Sequence, residues 1–261
     1  MFQSGLVSIT FRKLPPAEIV QLVSKAGLES IEWGGDIHVP HGDTKAAKEV
    51  RSLTEDAGLT VAAYGSYYRI GYSEEDGLPY ERVLEAALAL GAPLVRVWAG
   101  NKGSTDVDID FRKRVVNESR RIAEISAAAG VVVAYEFHGG TLTDTIASAR
   151  SLLEEVAHPN VKTLWQPNDP PDTDERLAGL LQVLPWLTNL HIFQWEPAVA
   201  GGNDKRPLAE GERAWNEYLA LAATTGRDHC ALLEFVQDDE PEAFLRDART
   251  LKKWLRSYHS E

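Results

Sequence analysis

The sequence predicts an α/β fold, a single (β/α)8 TIM barrel that spans residues 1–261 as one domain. Short apolar runs rich in β-branched and aromatic residues alternate with helical periodicities along the whole chain. Glycines stand between four of the predicted helices and the strands that follow them. No Pro/Ser-rich linker and no abrupt change of charge divides the 261 residues, a length that suits one large domain.

Eight apolar segments are predicted to be strands. In chain order they are LVSITF (6–11), LESIEW (28–33), LTVAAY (59–64), PLVRVWA (93–99), VVVAYEF (131–137), VKTLWQ (161–166), LTNLHIF (187–193) and HCALLEFV (229–236). Near-continuous apolar strands are typical of parallel sheets buried on both faces, and eight of them alternating with helices favour a closed barrel. An open, doubly wound sheet is the alternative. It is weakened because neither GxGxxG nor GxxxxGK[ST] follows the first strand.

Between the strands, apolar residues recur every three or four positions, which is the period of an amphipathic helix. The clearest examples are AEIVQLVSKAG (17–27), FRKRVVNESRRIAEISAAAG (111–130) and PEAFLRDARTLKKWL (241–255). A glycine shortly precedes four of the predicted strands, at Gly27, Gly58, Gly91 and Gly130. Glycine adopts the left-handed backbone that ends many helices at no steric cost, so these positions are predicted helix ends.

The composition limits the partners and the location of the protein. Lys and Arg number 27 and Asp and Glu 39, which gives a net charge of −12. Such a surface repels phosphate backbones and anionic lipids, so neither nucleic acid nor membrane is an expected partner. No segment approaches the roughly 20 apolar residues of a membrane span, and the first residues lack a signal-peptide pattern. The single cysteine, Cys230, excludes an internal disulfide and a cysteine metal cluster, and a cytoplasmic location is expected.

In a barrel, the carboxyl ends of the strands and the loops after them carry the chemistry. In VVVAYEFH, the bulky Val133, Tyr135 and Phe137 share one face of the strand, which suits the helix layer. Glu136 and His138 therefore point into the barrel mouth. A carboxylate after an apolar strand is costly to bury unless it is paired or binds a metal.

Three further strands carry metal-compatible side chains near their ends. The sixth offers Gln166, the seventh His191 and the eighth Glu234. Together with Glu136 they comprise two carboxylates, an imidazole and an amide, a set that suits one divalent ion such as Mn²⁺, Mg²⁺, Co²⁺ or Zn²⁺. Taken singly, each residue has an equally good structural explanation. Glu136 is compatible with a strand-end carboxylate in an ion pair, and His191 with a histidine that is hydrogen-bonded within the core. Their coincidence at four successive strand ends favours a functional site.

The order Glu–Gln–His–Glu, in the contexts YEFHGGTLTD, LWQPND, NLHIF and LLEF, resembles the xylose isomerase-like TIM-barrel superfamily. That superfamily holds sugar isomerases and epimerases related to AP endonucleases. Its members include ketose 3-epimerases, inosose dehydratases and hydroxypyruvate isomerases. The resemblance covers essentially the whole chain, from LVSITFR to the last helix.

The resemblance implies a set of metal ligands. In the metal-dependent epimerases of the family, a glutamate, an aspartate, a histidine and a second glutamate bind one divalent ion. By position, these roles fall on Glu136, Gln166, His191 and Glu234. The second ligand departs from the family pattern, because an amide oxygen is neutral and weaker than a carboxylate. Asp169, in the loop that follows, is an alternative ligand.

The resemblance also implies an activity, that of an isomerase or epimerase acting on a sugar, a sugar phosphate or a polyol. In this mechanism the metal polarises the substrate carbonyl and acidifies the neighbouring C–H bond. One glutamate removes that proton to give an enediolate, and the other glutamate returns a proton. Glu136 and Glu234 are the predicted catalytic pair, because strands five and eight are well separated across the substrate.

Substrate-binding residues are expected around this pair. The candidates are Glu32, Trp33, His38, Trp98, His138, Asn168 and Arg206. Tryptophan can stack on a sugar ring, and His138 can donate a hydrogen bond to a hydroxyl group. Arg206 lies in AVAGGNDKRPL (198–208), which is either a loop that closes over the site and holds phosphate or an ordinary solvated loop. Arg96 either pairs with an interior carboxylate or contacts substrate, and Tyr67 is a further candidate for the pocket wall.

Two other functions stay open at this point. One is a catalytically weak sugar-binding barrel that has lost its metal, which only Gln166 supports directly. The other is an AP endonuclease-like hydrolase, whose relatives need a trinuclear zinc site with more histidines. Here strands three and four end in Tyr64 and Trp98 instead of histidine. The expected partner is a small sugar, and a homo-oligomer is compatible with the sequence.

Overall fold

A closed barrel of eight parallel strands forms the centre of the molecule, in a computed structural model that describes residues 1–167, 172–198 and 202–258. The strands are β1 (Phe2–Val7), β2 (Ser30–Gly34), β3 (Thr60–Arg69), β4 (Leu94–Trp98), β5 (Val132–Tyr135), β6 (Val161–Trp165), β7 (Leu187–Ile192) and β10 (His229–Leu233). Strand β1 pairs in parallel with both β2 and β10, which closes the sheet. The predicted barrel is confirmed, and the open sheet is excluded.

Eight helices follow or separate the barrel strands. They are α1 (Pro16–Ala26), α2 (Thr44–Asp56), α3 (Tyr80–Leu90), α4 (Ile109–Ala128), α5 (Ile146–Val156), α6 (Thr173–Val183), α7 (Glu212–Ala223) and α8 (Pro241–Leu255). A small antiparallel hairpin, β8 (Trp195–Pro197) and β9 (Asn203–Lys205), lies between β7 and α7. Among the helices of the described ranges, none is long and apolar enough to cross a membrane.

The first strand is the element that differs most from its prediction. The apolar run LVSITF (6–11) was expected to be the strand, but β1 begins at Phe2 and Ser8–Phe11 form a 3₁₀-helix. Both segments are almost entirely buried, so hydrophobicity alone does not distinguish them. The neighbouring strand decides the boundary, because β10 pairs with β1 from Phe2 to Leu6.

The four predicted helix-ending glycines all have a left-handed backbone. Their φ values are 65° at Gly27, 73° at Gly58, 75° at Gly91 and 74° at Gly130. The N–H groups of Gly27 and Gly91 donate back to carbonyl groups in the last turns of α1 and α3. These bonds satisfy carbonyl groups that the helix end would otherwise leave without a partner.

Alternation along the strands separates the core from the site. On β5, Tyr135 points outward and its hydroxyl donates to Ser119 Oγ of α4 at 2.5 Å. On β6, the Trp165 ring contacts Tyr218 of α7, with ring centroids 4.9 Å apart. The residues that follow each of these two side chains, Glu136 and Gln166, therefore face the inside of the barrel at its carboxyl end.

Candidate metal centre and active site

The four predicted ligands come together at the carboxyl end of the barrel. Glu136, Gln166 and Glu234 directly follow β5, β6 and β10, and His191 lies on β7. All four side chains are buried, with residue exposures of 4%, 5%, 3% and 0% in the order just given. One ligand atom from each of Glu136, His191 and Glu234 lies within 4.8 Å of the other two. This spacing is small enough for one ion to contact all three.

Glu136 is already strongly hydrogen-bonded. Its Oε2 accepts from Nη1 of Arg96 and, at 2.5 Å, from Nε1 of Trp98. Its Oε1 faces Nε2 of Gln166 at 3.4 Å. Burial alone would raise the pKa of this carboxyl group, but Arg96 and the neighbouring histidines outweigh burial and lower it. Glu136 is therefore held as a carboxylate with one oxygen occupied by donors from the protein.

Arg96 pairs with interior carboxylates, which is one of the two roles considered for it. Its guanidinium group is 1% exposed and lies between Glu136 and Glu32, with Nε donating to Oε1 of Glu32 at 2.6 Å. Burial would lower the pKa of Arg96, but the two glutamates raise it well above its usual value. Burial likewise opposes ionisation of Glu32, yet Arg96 and His191 lower its pKa to about 2. The interior charges stabilise one another.

His191 lies between two carboxylates. Its Nε2 is 3.1 Å from Oε2 of Glu32, and its Nδ1 is 3.3 Å from Oε2 of Glu234. Only the contact with Glu32 is aligned as a hydrogen bond. Burial would lower the pKa of His191, but Glu32 and Glu234 raise it to about 10. Because a metal-binding imidazole must be neutral, metal binding displaces this proton.

Three buried polar atoms of the predicted ligands have no hydrogen-bond partner among the described residues. They are Oε1 of Gln166, Nδ1 of His191 and Oε2 of Glu234. Buried polar atoms are normally paired, so three in one place indicate a missing partner. The two oxygens offer lone pairs, and Nδ1 offers one once it has lost its proton; oxygen atoms with one imidazole nitrogen suit a divalent cation of the Mn²⁺, Mg²⁺, Co²⁺ or Zn²⁺ type. The residues therefore fit the predicted metal ion.

A cavity of about 1050 Å³ opens above these atoms, and Glu136, Gln166 and Glu234 line it. One wall contains Trp98 with His138 stacked on its ring, the two ring centroids being 4.5 Å apart. A second wall is formed by the aromatic rings of Phe193, Trp195 and Phe235. The size suits a small organic molecule, and the aromatic side chains offer apolar contacts in the same cavity as the polar centre.

Two of the predicted substrate-binding residues line the cavity, Trp98 and His138. The indole N–H of Trp98 is used by Glu136, whereas His138 Nδ1 contacts the carbonyl oxygen of Gly139 at 2.6 Å. Glu32 was also predicted to contact substrate, but it is fully buried behind His191 and outside the cavity wall. Asn168 lies outside the described residues, as does Asp169.

Three other predicted contacts are placed elsewhere by the structure. Trp33 faces α2, with its indole N–H donating to Thr54 at 3.2 Å, because it alternates with the inward-facing Glu32. His38 is buried and bonded through Nδ1 to Ser8 Oγ at 2.9 Å. Arg206 pairs with Glu210 at 2.9 Å and with Glu196 at 3.7 Å, so its charge is neutralised. These described residues lie outside the cavity lining, which favours structural roles for them.

Two aromatic residues of the cavity have an unusual backbone conformation that the sequence did not predict. Tyr67, a weak candidate, and Phe235, which was not one, both line the cavity and have positive φ values of 56° and 53°. Such a backbone is strained for a bulky side chain and is frequent at functional sites. Arg12 also lines the cavity, bonded to Asp36 at 2.5 Å and to the Tyr67 hydroxyl at 3.1 Å. No local signal distinguishes Arg12 in the sequence.

Comparison with known proteins agrees with this geometry. The family model described as xylose isomerase-like TIM barrel matches residues 20–258. A 3-dehydroshikimate dehydratase of Bacillus anthracis is 29% identical, covering 88% of this chain and 90% of its own length. The crystal structure of the probable 3-DHS dehydratase of petrobactin synthesis from Bacillus anthracis has a TM-score of 0.75 at 25% identity. That match covers 97% of this chain and 99% of the other.

More distant structures share the fold alone. A xylose isomerase-like TIM-barrel protein from Mycobacterium smegmatis, solved in complex with magnesium, has a TM-score of 0.75 at 17% identity. The match covers 99% of this chain and 98% of the other. A D-allulose 3-epimerase from Methylomonas sp. has a TM-score of 0.73 at 13% identity, covering 97% and 98% of the two chains. With its barrel, its strand-end cluster and a family match over most of its length, this chain belongs to the xylose isomerase-like TIM-barrel family.

Proposed function

We propose that this protein is a divalent-metal-dependent dehydratase of a cyclic hydroxylated ketone of the 3-dehydroshikimate class. The observation that carries the proposal is the position of Glu234 in the cavity wall, as part of the metal-compatible cluster and without a hydrogen-bond donor on its Oε2. A buried carboxylate that lines the cavity is suited to removing a proton from a bound substrate. The substrate class is supported by the dehydratase that is 29% identical over 88% of this chain.

The metal would be held by Glu136, Gln166, His191 and Glu234. When bound, it would stabilise the negative charge that develops on the carbonyl oxygen of the substrate. With Glu136 and Glu234 ionised and Gln166 and His191 neutral, the loaded site has a formal charge of zero, counting these ligands only. The neutral amide of Gln166 therefore leaves the centre less negative than an aspartate at the same position would.

Glu234 performs the proton transfers in this proposal. Its carboxylate takes the proton from the carbon beside the carbonyl group. A carbon–carbon double bond then forms as the bond from the next carbon to its hydroxyl oxygen breaks. The departing hydroxyl group receives the proton that Glu234 took, so the net change is loss of one water molecule. A single carboxyl group, acting first as base and then as acid, is sufficient for this sequence.

Glu136 is less suited to proton transfer than Glu234. Its Oε2 already accepts hydrogen bonds from Arg96 and Trp98. Protonation of that oxygen would break two charge-assisted hydrogen bonds. An epimerase needs two groups that exchange protons on opposite faces of one carbon. The difference between the two glutamates therefore favours elimination with one base.

The second candidate is the sugar isomerase or epimerase that the sequence predicts, with Glu136 and Glu234 as acid and base. It is favoured by the position of both glutamates in the wall of one cavity. The metal-poor sugar-binding barrel is disfavoured by the unpartnered donor atoms. An AP endonuclease-like site needs a trinuclear zinc cluster with further histidines, whereas the one group of potential metal ligands found among the described residues is Glu136–His191–Glu234.

An assay of the Mn²⁺-loaded protein separates the first two candidates. The protein is incubated with 3-dehydroshikimate, and the conjugated product is followed by its ultraviolet absorbance. In parallel, a panel of ketohexoses is incubated in deuterated water and analysed for epimers and for deuterium in recovered sugar. Turnover of 3-dehydroshikimate supports the dehydratase. Epimer formation and deuterium uptake without that turnover would replace it with the second candidate.

A further inference from the structure

We infer that Glu32 and Arg96, which do not touch the cavity, position the metal ligands of the site. Glu32 sets the tautomer and orientation of His191. Arg96 connects Glu32 to Glu136, so that the orientations of His191 and Glu136 are linked through one guanidinium group. The inference rests on the metal site of the proposed function and does not depend on which substrate that site takes.

The contact between Glu32 and His191 gives the two imidazole nitrogens different tasks. Nε2 of His191 donates to Oε2 of Glu32 at 3.1 Å, in hydrogen-bond geometry. Nδ1 has no hydrogen-bond partner and is the nitrogen that faces Glu234, at 3.3 Å. A carboxylate that accepts the proton of one nitrogen leaves the lone pair of the other for a metal, and it also fixes the plane of the ring.

Arg96 extends this arrangement to the other side of the site. Nε donates to Oε1 of Glu32 at 2.6 Å, and Nη1 donates to Oε2 of Glu136. The planar guanidinium group fixes these two directions relative to each other, as a lysine ammonium group does not. The Tyr67 ring covers the guanidinium group, with Cζ of Arg96 4.6 Å from the ring centroid. The cation is therefore shielded from solvent on the side of the cavity.

The position of Glu32 in the chain explains why it takes this role. It is the inward-facing residue near the carboxyl end of β2, where its side chain is 0% exposed. Both of its oxygens have a partner, Oε1 with Arg96 and Oε2 with His191. No oxygen is left for a substrate, and the cavity does not reach it. Glu32 is therefore a positioning residue, not a substrate-binding residue.

The variant Glu32→Gln tests the tautomer directly. Glutamine matches the size of glutamate but has a single acceptor oxygen, and Nε of Arg96 donates to that oxygen. Its amide N–H₂ then faces Nε2 of His191 and favours the tautomer with the proton on Nδ1, at the metal position. We expect Mn²⁺ affinity, measured by calorimetry on the metal-stripped full-length protein, to fall about 10- to 100-fold. Equal affinity of the variant and the wild type would overturn the inference.

The matched control is Glu118→Gln, which removes a carboxylate bonded to the Tyr68 hydroxyl and to the Gly71 N–H, away from the cavity. It should leave Mn²⁺ affinity within about 2-fold of wild type, and an equal loss in both variants would reassign the effect to general destabilisation. If the wild type itself binds no Mn²⁺, the metal site of the proposed function fails together with this inference. If the wild type binds Mn²⁺ and Glu32→Gln binds it equally well, only the inference fails.

A measurement on the wild type keeps the test independent of whether the variant folds. In the Zn²⁺-loaded protein, ¹⁵N chemical shifts of the His191 ring distinguish the protonated nitrogen from the metal-bound one. We expect the proton on Nε2 and the metal on Nδ1. A proton on Nδ1 in the loaded protein would contradict the role given to Glu32. A variant His191→Asn identifies the His191 signals by their loss.

Discussion

Two sides of the candidate site differ in how their charges are balanced. The paired side consists of Glu32, Arg96 and Glu136, and in it each glutamate has a guanidinium donor that the chain itself provides. The open side consists of Gln166, His191 and Glu234, and each of these side chains has a buried atom without a hydrogen-bond partner. Strands β2, β4 and β5 supply the paired side, whereas β6, β7 and β10 supply the open side.

The difference indicates which part of the site is complete before any ligand binds. On the paired side, folding has already replaced water by fixed donors, so those groups need little reorganisation later. On the open side, burial has removed water from polar atoms without replacing it, which is unfavourable unless a ligand supplies the partner. The paired side therefore serves as a rigid support, and the open side is where a cation and a substrate would bind.

The largest expected effect is on the open side. Glu234→Gln removes the proposed base and should lower turnover roughly 10³- to 10⁴-fold, equivalent to about 4–5.5 kcal/mol in the activation barrier. Stability should fall by less than in Arg96→Met, because Glu234 Oε2 contacts only His191 Nδ1 at 3.3 Å and that contact is not aligned as a hydrogen bond. Steady-state kinetics and urea unfolding measure the two quantities. Wild-type turnover in this variant would contradict the assignment of Glu234 as the base.

The next effect concerns the paired side. Arg96→Met leaves Glu32 and Glu136 buried without their cation, and the free energy of unfolding should fall by about 3–5 kcal/mol. The matched control is Arg150→Met, which breaks an exposed pair with Glu154 and should cost at most about 1 kcal/mol. Denaturant unfolding gives both values. Equal losses in the two variants would show that the buried network contributes no more to the free energy of unfolding than a surface ion pair does.

Adding metal should stabilise the protein through the open side. Mn²⁺ at about 100 times its dissociation constant should raise the free energy of unfolding by about 2.7 kcal/mol, because it binds the folded state alone. Thermal unfolding with and without Mn²⁺ measures this shift, and Glu234→Gln should reduce it. A wild-type protein whose midpoint does not move with saturating Mn²⁺ would contradict the metal assignment.

Gln166→Asp tests the one predicted ligand that departs from the family pattern. A carboxylate in place of the amide adds a negative charge to the open side, and Mn²⁺ should bind about 10-fold more tightly. Calorimetric titration provides the comparison, with Gln182→Asp on the exposed surface of α6 as the control. Unchanged affinity would argue that Gln166 is not a ligand.

The smallest expected effect lies outside both sides. Ala157 ends α5 with a left-handed backbone, φ 47°, which glycine adopts more easily. Ala157→Gly should raise the free energy of unfolding by about 0.5–1 kcal/mol and leave Mn²⁺ affinity unchanged. A change in Mn²⁺ affinity would show that metal binding depends on the overall stability of the protein. Affinity changes in the other variants could then not be assigned to the paired side or the open side.

Much of this site could be predicted from single residues at strand ends. Glu136, Gln166, His191 and Glu234 interrupt apolar runs, and a polar side chain at such a position needs a partner wherever the strand lies. The roles of Trp33, His38 and Arg206 could not be predicted in the same way. Each depends on a partner from another part of the chain or on a neighbouring loop, Thr54, Ser8 and Glu210 respectively.

The sequence by itself determined the barrel, because hydrophobic period, helix-ending glycines and strand count are local properties of the chain. It also determined which strand ends carry polar groups, since alternation sets the face of each side chain. Only the tertiary structure decided that Glu32 turns toward His191 instead of the cavity, a contact across 159 residues of chain. The same holds for Arg96, whose two partners come from different strands. Electrostatic pairing acts through space, so which charges compensate one another follows from the fold and not from their spacing in the sequence.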